Sequence, residues 1–158
     1  MNEAEIRKIV QNTINSVKSD PSQMTLALAE QICEAVLNEA KRIGVKAVVC
    51  LSDAGGHPKL VKAMDDAYIA SYDVAVNKAF TVVALKMSTI DLKPLAQPGG
   101  SLYGIQFTNG GRIVIFGGGD PLIGSDGTII GGIGVSGGSE AQDTALSEFG
   151  KRYFESQL

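Results

Sequence analysis

Apolar residues recur at helical spacing at the start of the chain (Ile6, Ile9, Val10, Ile14, Val17), which predicts an amino-terminal helix over residues 1–20, broken at Asp20-Pro21. A second helix follows with Leu28, Ile32, Val36 and Ile43 along one side, Thr25 as its N-cap and Gly44 as its stop. The period then changes. Residues 45–52 form an apolar run, Ala54-Gly55-Gly56 a turn and 59–62 a short return strand, together a hairpin. Residues 68–87 have the pattern of a long helix, and 88–95 that of a short one ending before Pro98.

Beyond that point the pattern is dominated by glycine. Fifteen of the nineteen glycines fall in residues 99–138, where they alternate with β-branched and aromatic runs at 112–116 and 128–135 instead of forming a linker. Asn109-Gly110 predicts a turn into a strand at 112–116, and Asp126-Gly127 predicts a hairpin joining a short strand around Leu122 to 128–135. A last helix starts at Ser139, whose spacing to Gln142 makes a capping box, and it carries Ala145, Leu146, Phe149 and Tyr153 toward the core. Successive hairpins imply a mainly antiparallel sheet, because short turns cannot make the crossover that parallel neighbours need. The expected fold is α+β, a three-layer α/β/α arrangement with five strands, in one domain over residues 1–158 whose core spans 24–155.

Alternation in the last strand puts Ile129, Gly131, Ile133 and Val135 on one face and Ile130, Gly132, Gly134 and Ser136 on the other. The second face is nearly smooth, so it admits either a closely packed helix or a flat apolar ligand, and Gly132 and Gly134 become candidate cofactor-binding positions. Gly132-Ile-Gly-Val-Ser-Gly137 also matches the dinucleotide fingerprint, but the residues after it read as a helix and offer no second parallel strand to carry the acid that would hold a ribose.

Length and charge narrow the function classes. A chain of 158 residues buries roughly two-thirds of its unfolded surface in one core. The net charge is −3 and the basic residues are scattered, which argues against nucleic acid as a partner. No apolar run approaches the ~20 residues needed to span a bilayer, so a soluble, cytoplasmic protein is expected. Cys33 and Cys50 lie in an amphipathic helix and an apolar strand, as buried hydrophobes do, and fit a reducing compartment.

There is one histidine, so any imidazole chemistry must use His57. Neither C-x-x-C nor H-x-x-x-H occurs, which excludes the usual zinc sets. In Asp53-Ala-Gly-Gly-His57 the carboxylate is placed either to cap the turn or to orient the imidazole. His57 is then an ordinary turn residue or an axial ligand for haem iron, a role that needs only one or two protein ligands because the tetrapyrrole supplies four bonds. Lys78, with Asp73 and Thr81 nearby in the long helix, is either salt-bridged or a catalytic amine.

Six segments, Asp53-Ala-Gly-Gly-His57, Met64-Asp65, Asn77-Lys78-Ala79-Phe80-Thr81, Ala96-Gln97-Pro98-Gly99-Gly100, Asn109-Gly110-Gly111-Arg112-Ile113 and the glycine-rich stretch 131–138, together resemble the GlcG/HbpS-like family. That family includes the carboxy-terminal domain of PduO and the haem-degrading or haem-binding HbpS proteins. The resemblance implies a profilin-like fold with an antiparallel sheet between helices, and assembly into tetramers or octamers. It also implies tetrapyrrole chemistry: haem binding, with corrinoid as the alternative, in the setting of corrinoid-dependent diol and glycerol metabolism or of glycolate metabolism. Carried over by position, His57 is the candidate metal ligand and Thr81 a candidate pocket residue. Many members have an arginine before the Met-Asp pair; here that position is Ala63, beside Lys62. Cobalamin adenosylation belongs to a separate domain of PduO-type proteins and is not implied for this chain.

Three functions follow as expectations. The first is a haem or tetrapyrrole-binding, self-assembling module that takes a small planar ligand. The second is a small-metabolite enzyme or accessory using Asp53, His57 and Lys78 for proton transfer, with the Ser139 helix terminus holding an anion. The third is an assembly subunit whose smooth glycine face is buried between protomers.

Overall fold

The structure, a computed structural model, describes residues 2–16 and 22–158. The Val17 end of the predicted first helix and the Asp20-Pro21 break lie outside the described residues. Helix α1 spans Glu3–Ser16, and Ile6, Ile9 and Val10 stay exposed on it. Helix α2, Leu26–Arg42, starts where expected, with Thr25 Oγ1 accepting from the Leu28 N–H at 3.2 Å. It ends at Gly44, which takes the left-handed φ of +76° that a Cβ would disfavour.

Strands β1 (Val48–Asp53) and β2 (Pro58–Ala63) form the predicted hairpin, and the long helix α3 spans Ala70–Leu85. The short helix α4 covers Thr89–Leu95. After two 3₁₀ turns at Ile105–Phe107 and Asn109–Gly111 come β3 (Gly119–Ile123), β4 (Ile129–Ser136) and α5 (Glu140–Glu155). The capping box of Ser139 and Gln142 opens α5 as predicted.

Among the described residues the sheet has four strands, all antiparallel, in the order β2-β1-β4-β3. Pro121 lies in β3, an edge strand, where a residue without an N–H is tolerated. The expected fifth strand at 112–116 does not form. Ile113 and Val114 are buried there, but the Val114 N–H donates to the side chain of Thr81 at 3.0 Å instead of to a neighbouring strand. The β-branched run reflected burial, and the backbone found its partner on a helix.

Helices α2 and α5 pack on one side of the sheet, on Val49, Leu51, Ile133 and Val135, while α3 covers the other side, with Val48 and Cys50 against Ala75 and Ala79. The smooth face of β4 lies under α3. A Cβ on Gly134 would overlap the Ala75 carbonyl oxygen and come within 2.7 Å of the Ala79 nitrogen; one on Gly132 would lie 2.7 Å from the Ala79 carbonyl oxygen. Ser52 clasps the same junction, accepting from the Gly132 N–H at 3.1 Å and donating to the Ala79 carbonyl at 3.2 Å. The glycines therefore let a helix approach within the protomer, so the smooth face is neither an open planar surface nor a contact between protomers. No described helix is long and apolar enough to cross a membrane.

Candidate functional site

The β1–β2 turn is built around one carboxylate. Asp53 Oδ1 accepts from the N–H groups of Gly55 at 2.8 Å and His57 at 3.0 Å, while the Asp53 N–H donates to the His57 carbonyl at 2.9 Å. Partial desolvation opposes ionisation of Asp53, but those backbone donors and the imidazole outweigh it and hold the carboxyl below its usual range. His57 Nδ1 sits 3.4 Å from the same oxygen, and the side chain is 81% exposed. The carboxylate thus caps the turn, and the imidazole lies with Nδ1 toward it.

The next layer is Phe80, on α3. Gly56, at a φ of +75°, brings the turn so close that a Cβ there would lie 2.9 Å from Phe80 Cδ2. Against the ring face lies the guanidinium of Arg112, 3.6 Å from its centroid. Thr81 explains how Arg112 arrives there. Its buried hydroxyl donates to the Asn77 carbonyl at 2.7 Å and accepts from the Val114 N–H, and the Arg112 carbonyl oxygen lies 3.3 Å away. Thr81 therefore fastens the 109–116 segment to α3 and faces no open space. The structure thus stacks Arg112 on Phe80 where the Gly56 turn meets the same ring, and Thr81 fastens the segment that carries Arg112.

Lys78 is elsewhere. Its ammonium is fully buried, donating to the Val135 carbonyl at 2.7 Å and to Asp143 Oδ2 at 3.0 Å, with the Phe116 ring centroid 4.9 Å away. Burial lowers the Lys78 pKa, with Asp143 opposing. Asp53 pairs with Gly131 in the β1–β4 ladder, whereas Lys78 binds Val135 four residues further along β4, roughly 13 Å of strand away. Asp53, His57 and Lys78 do not form a common proton-transfer site. The anion role expected for the α5 terminus is also taken: the Gly138 N–H donates to Asp143 Oδ1 at 2.9 Å and the Ser139 N–H to Gln142 Oε1 at 2.9 Å.

The remaining candidates are structural. Gly132 and Gly134 are covered by α3. Lys62, beside Ala63, pairs with Glu34 on α2 at 3.2 Å. Cys33 and Cys50 are free buried thiols, pushed up by desolvation to about 11 and about 12, so neither forms a reactive thiolate at neutral pH. Among the described residues no group of three His, Cys, Asp or Glu side chains is arranged to hold a bare metal ion. Phe80 and Arg112 stand in two of the six motifs, and the local signal at Arg112 is a cation immediately after a turn-forming Asn-Gly-Gly. Asp143 has no such signal, since its pairing with Lys78 spans 65 residues and leaves no local trace.

The chain is 46% identical over 125 residues to an uncharacterized 15.0 kDa protein of the dhaT-dhaS intergenic region of Citrobacter freundii, covering 79% of this chain and 87% of that one. It is 37% identical over 134 residues, 85% of its length, to the corrinoid adenosyltransferase PduO of Salmonella typhimurium, of which it spans 40%. Its fold superposes on the crystal structure of a PduOC:haem complex with a TM-score of 0.78, at 35% identity, over 82% of this chain and 94% of that one. The family described as haem degrading protein HbpS-like matches residues 24–151, and the chain belongs to that HbpS-like family.

Proposed function

We propose that this protein binds haem or a closely related tetrapyrrole, with His57 Nε2 as the axial ligand to iron. The observation that carries the reading is the exposed imidazole at the hairpin turn, whose Nδ1 lies 3.4 Å from the Asp53 carboxylate that caps the turn. The donor set suits a tetrapyrrole better than a bare ion: one histidine is enough when four bonds come from the macrocycle, and no multidentate cluster exists among the described residues. A bound haem would supply a redox-active iron. The chain's own part is to present the imidazole, to keep its tautomer through the Asp53 carboxylate, and to offer Phe80 as an apolar neighbour.

Similarity to the haem-bound PduOC supports this reading, and an accessory role in corrinoid-dependent diol or glycerol metabolism or in glycolate metabolism, with corrinoid as the alternative ligand, belongs to the same proposal. Self-assembly into tetramers or octamers on a profilin-like scaffold belongs to the same proposal. The exposure of Ile69 (96%) and Phe107 (83%) supports an apolar contact with further copies. The buried free thiols fit a reducing, cytoplasmic setting. The test is titration of the protein with haemin, followed by visible absorption. A Soret shift that saturates at a fixed stoichiometry is expected; a linear, unsaturating change overturns the reading.

A further inference from the structure

Arg112 is a cation for which the described residues supply no anion. Its guanidinium is half-buried on the Phe80 ring, yet among the described residues it makes no ion pair and no side-chain hydrogen bond. Six of the other basic residues, Arg7, Arg42, Lys46, Lys62, Lys93 and Arg152, each pair with a carboxylate at the surface, and Lys78 pairs in the interior. A guanidinium stacked by its face keeps its in-plane N–H donors at the edge, the geometry that grips a carboxylate in bidentate fashion.

The chain also accepts an unfavourable backbone to put it there. Asn109, Gly110 and Gly111 run consecutively at φ of +53°, +66° and +78°. A Cβ on Gly110 or Gly111 would meet nothing within 4 Å, so it is the turn itself, and not a lack of space, that calls for glycine. Asn109 carries the left-handed conformation without being glycine, a modest cost of the kind that collects at ligand sites. Thr81 then pins the segment that follows to α3. Strain, a helix anchor and an aromatic platform all serve to hold a guanidinium without a described counter-ion on the ring that the Gly56 turn also meets.

We infer that Arg112 is the carboxylate clamp of this site, binding an acid side chain of the macrocycle whose metal His57 ligates. The inference rests on the haem reading and assigns the polar end of the same ligand. Haem offers propionate carboxylates at its edge, and a clamp on one of them would fix the rotation of the macrocycle about a single bond from His57 to its metal.

The test compares haemin with haemin dimethyl ester, which has no ionised propionate, on the wild type, Arg112→Gln and Arg112→Lys. The wild type is expected to prefer haemin by about tenfold or more, as a charge-assisted pair implies. Arg112→Gln should lose that preference by weakening haemin while leaving the ester unchanged, and Arg112→Lys should keep part of it. Equal loss of haemin and ester in Arg112→Gln would mean that Arg112 only holds the loop, and overturns the clamp. Unchanged haemin binding in that variant overturns it too, with the haem reading intact. Failure of the wild type to bind haemin removes both.

Discussion

Lys78 and Arg112 are both cations set against a phenylalanine ring, Lys78 at 4.9 Å from Phe116 and Arg112 at 3.6 Å from Phe80, yet their surroundings are opposite. Around Lys78 the donors are matched by Asp143 and the Val135 carbonyl, and solvent is excluded. Around Arg112 the described residues provide a ring, an anchored backbone and no counter-charge. A buried cation with matched partners ties α3, β4 and α5 together. A half-buried one without them is the group we propose to meet a ligand. The difference separates scaffold from site more reliably than residue type, since lysine, arginine and histidine all began as candidates.

The comparison is most easily broken at the buried end. Lys78→Ala would leave the Asp143 carboxylate buried without its cation, and removal of one partner of such a pair costs about 3–5 kcal/mol. Urea unfolding should record that loss; a wild-type midpoint would mean that the pair does not hold the helices to the sheet. Thr81→Val probes the joint between the two ends. It keeps the shape but strands the buried Val114 N–H, at a cost of about 1–3 kcal/mol, and should weaken haemin binding through the displaced Arg112 segment. Stability loss with unchanged haemin affinity would uncouple that segment from the site.

Asp120 sharpens the contrast by showing a buried charge without a cation in contact. Desolvation raises its pKa, and the Ser147 hydroxyl, donating at 2.6 Å, offsets this only in part. Its folded pKa lies above the ordinary 3.8, so the native state binds more protons than the unfolded one between those values, and stability falls as pH rises through that window. Asp120→Asn should therefore melt higher than the wild type at pH 7, with the difference shrinking at pH below 3.8. Thermal melts at both pH values check this, and a lower melting temperature at pH 7 would show that the ionised carboxylate is worth more to the fold than its burial costs.

Much of this division was legible in the sequence, because the signals concerned are local. Thr25, Gly44, Asp126-Gly127 and the Ser139 box mark element ends through short-range hydrogen bonds, and the structure uses each as predicted. The Asp53 to His57 turn was readable for the same reason. Strand count was not, since Ile113 and Val114 carry the burial pattern of a strand while their hydrogen bonding depends on Thr81, more than thirty residues away. The role of Gly132 and Gly134 was open for a related reason: alternation defines a smooth face but does not say that α3 lies on it. Arg112 stood in a quoted motif, yet its meaning rests on the absence of a partner, which only the assembled fold reveals.

The most direct measurement is haemin titration of His57→Ala beside the wild type, with far-ultraviolet circular dichroism and thermal melts on the same samples. The imidazole is 81% exposed and contributes little packing, so the variant should keep the wild-type fold and melting temperature. It should lose the histidine-type spectrum and bind haemin markedly more weakly. Identical spectra and affinities in the two proteins would contradict the axial role of His57, and a large drop in melting temperature would return His57 to the turn as a structural residue.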